Sequence, residues 1–237
     1  MGGPSAIPSM SAASDVAGLR AMVDQMIAAQ VAAGPAPDYS GVKKSQLQIP
    51  VRDGSSIRGV LYQPESGSGG PLAVIFHGGG FCIGMPEMEE PVALELVRGY
   101  AGVVLSVDYR LAPEHPFPVP IDDSFDALKW AASQAKDWGA DASKGFIVGG
   151  TSAGAIISAV VSHQARDEKL SPPLTGVWLN VPHVVDQSVL PEKWRGVHTS
   201  HEQNKDAPIL DKAAVEFFMR ESLSLPPLCA LPGWGAS

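Results

Sequence analysis

The chain has 237 residues, 45% of them hydrophobic and 18% charged, which is enough apolar material for one sizeable core. Its formal charge of -8 argues against a nucleic-acid partner and against docking on anionic membranes. Its two cysteines, Cys82 and Cys229, form neither a CxxC pair nor a metal-ligand cluster, so neither a zinc site nor a disulfide framework is expected.

A reducing compartment fits that cysteine usage, and a soluble, cytoplasmic protein is the expectation. The N-terminus, MGGPSAIPSMSAASD, has no basic start followed by an apolar run, so it does not read as a secretory signal. Ala6 stands where a myristoylation motif wants Ser or Thr. The longest apolar runs are too short to span a bilayer.

Residues 1–14 are small and Pro/Ser-rich and are expected to be disordered. Ser14 and Asp15 then suit an N-cap before a helix over Val16 to Gln30, with Leu19, Met22, Val23, Met26 and Ile27 on one face. Gly34-Pro35-Ala36-Pro37 ends it. Leu47, Ile49 and Val51 alternate with polar residues and predict a strand; Asp53-Gly54 signals a turn, and Ile57 to Tyr62 reads as the returning strand of a hairpin. Short apolar strands follow at Leu72 to Phe76, Gly102 to Val107, Gly145 to Gly149 and Thr175 to Val181. Helices are expected over Asp122 to Gln134 and Ala153 to Arg166. Continuous apolar strands separated by helices predict a parallel sheet covered on both faces, with right-handed crossovers. After Val181 the rhythm stops: Leu190 to Asn204 is polar and irregular, Asp206 to Ser222 reads as one helix with Pro208 in its first turn, and Ser224 to Ser237 is Pro-rich.

The strongest chemical signal is Gly150-Thr151-Ser152-Ala153-Gly154, a G-x-S-x-G between a strand and a helix. A sharp strand-to-helix turn strains the serine's backbone, demands small neighbours, and projects the hydroxyl near the positive end of the next helix. Taken alone, the pentapeptide could equally be an ordinary glycine-rich turn. A second motif, His77-Gly78-Gly79-Gly80-Phe81, follows the strand Leu72 to Phe76. Glycines there let backbone N–H groups face a developing oxyanion. Gly78 and Gly79 are the expected donors, with Ala153 as the third and His77 opening the loop. A flexible turn or a phosphate cradle is the alternative, the latter weakened by the lack of G-K-[ST].

HGGGF, then Asp108-Tyr109-Arg110-Leu111-Ala112-Pro113-Glu114, then GTSAG, in this order and spacing, resembles the hormone-sensitive-lipase-like family of α/β-hydrolases. The resemblance runs from about Lys44 to about Ser222. It implies an α/β-hydrolase fold, with a mostly parallel central sheet, helices on both faces and N-terminal cap helices. It implies carboxylester hydrolysis of short or medium acyl chains with no cofactor and no metal. Glu202 to Leu210 looks most like fungal members, some of which serve secondary metabolism. In the family, Tyr109 to Pro120 braces the oxyanion loop, so His115 is expected to be structural; Cys82 reads as packing.

The pattern breaks after the nucleophile. The fold orders its triad as serine, acid, histidine along the chain. The fourth parallel strand and the Asp206 helix occupy the chain up to Ser222, and residues 223–237 are too few for another βαβ unit, which needs roughly 30. The expected division is therefore 1–40 as a tail and cap helix, 41–222 as a hydrolase domain lacking the last strands, and 223–237 as an irregular tail. His163, His198 and His201 are expected to be surface or loop residues. His183 with Asp186 is the best surrogate pair, because strand ends point toward such sites. Three readings follow: a serine esterase, weak or inactive as written, acting on a small ester; a ligand-binding protein on a hydrolase scaffold; or a truncated product with no function of its own. An uncovered sheet edge would also favour homo-oligomers.

Overall fold

A computed structural model describes residues 9–35, 37–67, 69–185 and 189–223. The chain divides into two compact units, one of residues 36–184 and one joining 1–35 to 185–237.

The larger unit holds a six-stranded sheet in the order β1-β2-β4-β3-β5-β6. The strands are β1 (Val42–Pro50), β2 (Ser56–Pro64), β3 (Leu72–Phe76), β4 (Val103–Val107), β5 (Phe146–Thr151) and β6 (Gly176–Asn180). β1 and β2 form the expected hairpin, and β2 pairs antiparallel with β4. The other pairings, β4 with β3, β3 with β5 and β5 with β6, are parallel. Both faces are covered at the central strands β3 and β4. Leu72, Val74 and Phe76 of β3 point into the core shared with α3 (Val119–Gln134) and α4 (Ala153–Asp167), where Phe125, Leu128, Ile157 and Val161 meet them. Ala73 and Ile75 point the other way, toward Ala93, Leu94 and Val97 of α2 (Glu90–Tyr100). Each such side chain fully buried contributes about 1.5–3 kcal/mol, which is why the apolar runs have no polar alternation.

α2 has no counterpart in the sequence reading. Pro91 and Gly99 disguise it, yet proline is tolerated in a first turn, where its missing N–H costs nothing, and the helix stops at Ala101 in a left-handed conformation, φ 51. β6 differs from the other parallel strands. Val177, Trp178 and Leu179 remain 46%, 36% and 39% exposed, so this edge of the sheet is apolar and open.

The hairpin is tied to α3 by ion pairs. Arg110 donates from its backbone N, Nε and Nη2 to the Asp123 carboxylate at 3.1, 2.8 and 2.7 Å, and from Nη1 to Asp53 at 2.7 Å. Asp123 is buried. Arg52 makes a parallel set of bonds to Asp126 and Asp122.

In the smaller unit, α1 (Val16–Ala33) starts as expected, with Asp15 Oδ1 accepting the Gly18 amide at 2.7 Å. Two short helices, α5 (Glu192–Arg195) and α6 (Ser200–Gln203), interrupt the segment that reads as irregular. α7 (Lys212–Leu223) begins later than the sequence suggests, so Pro208 lies outside it. Asp211, not Asp206, caps it, accepting the Ala214 amide at 2.7 Å. Ala214, Phe218 and Ser222 form its buried face, while Phe217 is only partly covered. Residues 224–237, including Cys229, lie outside the described residues. Among the described residues, no helix is long and apolar enough to cross a membrane.

Removing Arg110 strands a buried carboxylate. Arg110→Ala should lower unfolding stability by about 3 kcal/mol, read as a shift of the urea midpoint. A midpoint shift near zero would show that water replaces the guanidinium at Asp123.

Candidate functional site

β5 ends at Thr151 and α4 starts at Ala153, so the chain must reverse within Ser152. Its backbone sits at φ 55, ψ -113, a conformation that costs a non-glycine residue about 1–3 kcal/mol. Neighbouring hydrogen bonds hold it there. The Ser152 N–H donates to the Asn180 carbonyl at 2.8 Å, and the Ser152 carbonyl accepts the amides of Ala155 and Ile156 at 2.9 and 3.1 Å. The flanking glycines are obligatory. A Cβ on Gly154 would lie 1.9 Å from the Phe76 carbonyl oxygen, and one on Gly150 would lie 2.3 Å from the same atom. The Ser152 side chain does not cap its own helix, and the first-turn amides of α4 carry the positive end of the helix dipole toward it.

The glycine loop after β3 lies directly against this turn. A Cβ on Gly78 would meet the Thr151 carbonyl oxygen at 3.1 Å and the Ser152 Cβ at 3.5 Å. Gly79, Gly80 and Phe81 all have positive φ, at 121, 59 and 64. The amides of Cys82 and Ile83 fold back onto the Gly79 carbonyl at 3.0 and 3.1 Å. Among the described residues, the loop and cap hydrogen bonds use none of the amides of Gly78, Gly79 and Ala153. Two of these amides, those of Gly78 and Ala153, belong to residues adjacent to Ser152.

His77 shapes that loop from behind. Its ring is fully buried and stacks on Tyr109, with centroids 4.3 Å apart and planes 10° from parallel. Nδ1 lies 2.7 Å from the Gly78 carbonyl oxygen, so it carries the proton and donates. The Tyr109 hydroxyl donates to the His77 carbonyl at 2.8 Å, and the Ala112 amide donates to the Phe81 carbonyl at 2.8 Å. The Asp108–Pro113 stretch thus braces the loop, in the manner the resemblance implies. Burial holds the His77 pKa below 6.5; the Gly78 carbonyl and the charges of Asp108 and Glu87 oppose that shift, and Arg58 adds to it. The ring is neutral at pH 7. Gly84, which sequence reasoning passes over, makes room for it: a Cβ there would sit 2.4 Å from His77 Nδ1, and its φ is 109. No local signal marks Gly84, because the clash it avoids is with a residue seven positions back.

The other candidates fall out as follows. His163 is exposed on α4, and His115 belongs to a turn in which its amide donates to the Leu111 carbonyl at 2.9 Å. Cys82 is buried. His183 lies partly buried, just beyond the end of β6, whereas Asp186 is outside the described residues. His198 and His201 stack on each other, centroids 5.9 Å apart, in the smaller unit. Among the described residues, no group of three or more His, Cys, Asp or Glu side chains converges to hold a metal.

His77 makes the fold sensitive to acid. Its folded pKa lies below the unfolded value of 6.5, so the unfolded chain takes up the proton first. The stability it confers is complete above about pH 6.5 and is lost as the pH falls through the depressed folded pKa. His77→Asn keeps a donor for Gly78 but cannot titrate. Its melting temperature should fall less steeply between pH 7 and pH 5 than that of the unsubstituted protein; parallel profiles would contradict this.

Comparisons with known proteins address the family of the chain. A family model described as alpha/beta hydrolase fold matches residues 73–229. An AB hydrolase superfamily protein of Schizosaccharomyces pombe is 36% identical over 194 residues, covering 81% of this chain and 57% of the relative. The versiconal hemiacetal acetate esterase of Dothistroma septosporum is 34% identical over 188 residues, covering 78% of this chain and 56% of the relative. Among solved structures, a bacterial heroin esterase superposes with a TM-score of 0.79 at 29% identity, covering 96% of this chain and 67% of that one. The chain thus spans little more than half the length of these two curated relatives. The family model over residues 73–229 and these relatives show that this chain belongs to the α/β-hydrolase family, in its hormone-sensitive-lipase-like branch.

Proposed function

We propose that this chain is a serine carboxylesterase-type hydrolase of small esters, with Ser152 as the nucleophile. The single observation that carries the reading is the strained Ser152 turn with Gly78 packed against it. In the reaction, Ser152 Oγ attacks the ester carbonyl carbon. The carbonyl oxygen takes the negative charge and accepts hydrogen bonds from the Gly78, Gly79 and Ala153 amides. Each such donor is worth about 10²–10³ in rate. The alcohol leaves with a proton, and water then cleaves the acyl-enzyme. The serine's proton needs a base, and His183 with Asp186 is the pair that the sequence offers beyond the end of β6. The Dothistroma relative and the Glu202 to Leu210 segment support a short acyl group such as acetyl, and a setting in fungal secondary metabolism. Cysteine usage supports the cytoplasm. The open apolar edge at β6 supports self-association of two chains edge to edge.

A fluorophosphonate probe should label Ser152, mapped by peptide mass spectrometry, and Ser152→Ala should abolish the labelling. Ser152→Ala should cut turnover of p-nitrophenyl acetate by about 10⁴ to 10⁶. Labelling at another residue, or labelling that survives Ser152→Ala, would overturn the reading. Sedimentation should show a dimer that Leu179→Lys converts to a monomer; a monomer without the substitution would remove the edge-to-edge proposal.

A further inference from the structure

The segment that leaves the glycine loop is fastened to the sheet beneath it. Pro86–Glu89 forms a single 3-10 turn just before α2. The buried Ser106 hydroxyl of β4 donates to the Pro86 carbonyl at 2.9 Å. Arg58 of β2 donates from Nη1 and Nη2 to the two Glu87 carboxylate oxygens at 2.6 and 3.0 Å. The same guanidinium donates from Nε to Asp108 Oδ2 at 2.7 Å. Asp108 directly precedes Tyr109, whose ring stacks on His77 and whose hydroxyl holds the His77 carbonyl.

β2 and β4 need no side chain to join them. They already pair antiparallel, and the Asp108 amide donates to the Arg58 carbonyl at 3.0 Å. Ser106 fixes the turn by one neutral bond. What Arg58 adds is a charged link from Glu87 to the segment that carries Tyr109. A lone exposed ion pair would contribute little. Here one planar guanidinium spans two carboxylates, one of them bidentately, and the Arg58, Glu87 and Asp108 side chains are only 27%, 30% and 28% exposed. Its hydrogen bonds hold the Glu87 carboxyl below the usual carboxylate range, against the opposing effect of burial.

Building on the proposed function, we propose that Arg58 is a positioning residue for the oxyanion-binding loop: by clamping Glu87 to Asp108 it fixes the loop's exit against its Tyr109 brace, and so sets the direction of the Gly78 and Gly79 amides. Gly79, Gly80, Phe81 and Gly84 all have positive φ. Such a run of sparsely populated conformations persists only while its surroundings over-determine it. Tyr109 holds the loop at its entry, at His77, and Arg58 holds it at its exit.

The test uses the full chain and follows two readouts. One is fluorophosphonate labelling of Ser152, separated into probe affinity and maximal rate. The other is hydrogen exchange of the Cys82, Ile83 and Ala112 amides, whose bonds close the loop. Arg58→Met should slow maximal labelling about tenfold, the rate equivalent of one lost charged hydrogen bond, with probe affinity unchanged. It should speed exchange at those three amides by a similar factor. Arg52→Met removes a guanidinium paired with Asp126 and Asp122 in the turn of the same hairpin, and should leave both readouts within about twofold of the unsubstituted chain. Adding Glu87→Gln to Arg58→Met should slow labelling no further. An Arg52→Met as slow as Arg58→Met, losses that multiply in the double variant, or an Arg58→Met that labels at the original rate would each overturn the proposal. If Arg58→Met does not fold, Glu87→Gln takes its place: labelling slowed about fivefold at unchanged affinity supports the proposal, and an unchanged rate overturns it. If the unsubstituted chain takes no label, the proposed function fails, and amide exchange still decides the role of Arg58.

Discussion

Backbone clearance at the crossing of two turns is the constraint on which the rest depends. The loop leaving β3 and the turn leaving β5 pass so closely that Gly150 and Gly154 could not carry a methyl group without striking the Phe76 carbonyl oxygen. This closeness puts the Gly78 backbone beside Ser152, and it requires parallel strands in adjacent positions, since β3 and β5 must end side by side. Their register pairs Phe76, the last residue of β3, with Gly150, two residues before Ser152. The sheet is thus the instrument that aligns two short segments separated by more than seventy residues of chain. Packing on both faces, with α3 and α4 on one side and α2 on the other, keeps those strand ends from moving apart.

The second consequence is electrical. The amides of Gly78 and Ala153, unused among the described residues by the loop and cap hydrogen bonds and adjacent to Ser152, favour negative charge beside it. His77 and Tyr109 contribute without entering the chemistry. One is a neutral buried imidazole and the other a phenol bonded to a carbonyl, and both fix the curvature of the glycine loop. Their work is done through main-chain atoms, so the loop's shape and its donor directions are a single property.

Much of this was legible in the sequence because it is written in short spans. The parallel strands announce themselves as unbroken apolar runs, and G-x-S-x-G between a strand and a helix specifies a turn whose physics admits few alternatives. The HGGGF loop is legible for the same reason, as a cluster of glycines is meaningful wherever backbone must face a ligand. What stayed hidden depends on distant contacts. Gly84 matters because the His77 ring and the Gly78 carbonyl fold over it and its φ is positive. Glu89 lies next to Glu90 and near Glu87, and only the fold shows that it is buried. α2 hid behind a proline and a glycine, and α7 began at Asp211 rather than Asp206 because the side chain that reaches an unpaired amide, not the first acidic residue, sets a helix start. The partners of Ser152 in proton transfer were not legible at all, since no short motif after β6 fixes them.

A crystal structure of the chain with Ser152 phosphonylated addresses the central claim most directly. The account places the phosphonyl oxygen within about 2.7–3.1 Å of the Gly78, Gly79 and Ala153 nitrogens, with Ser152 still at positive φ. A phosphonyl oxygen turned to solvent, or a Ser152 that has relaxed into the regular helix, would contradict it.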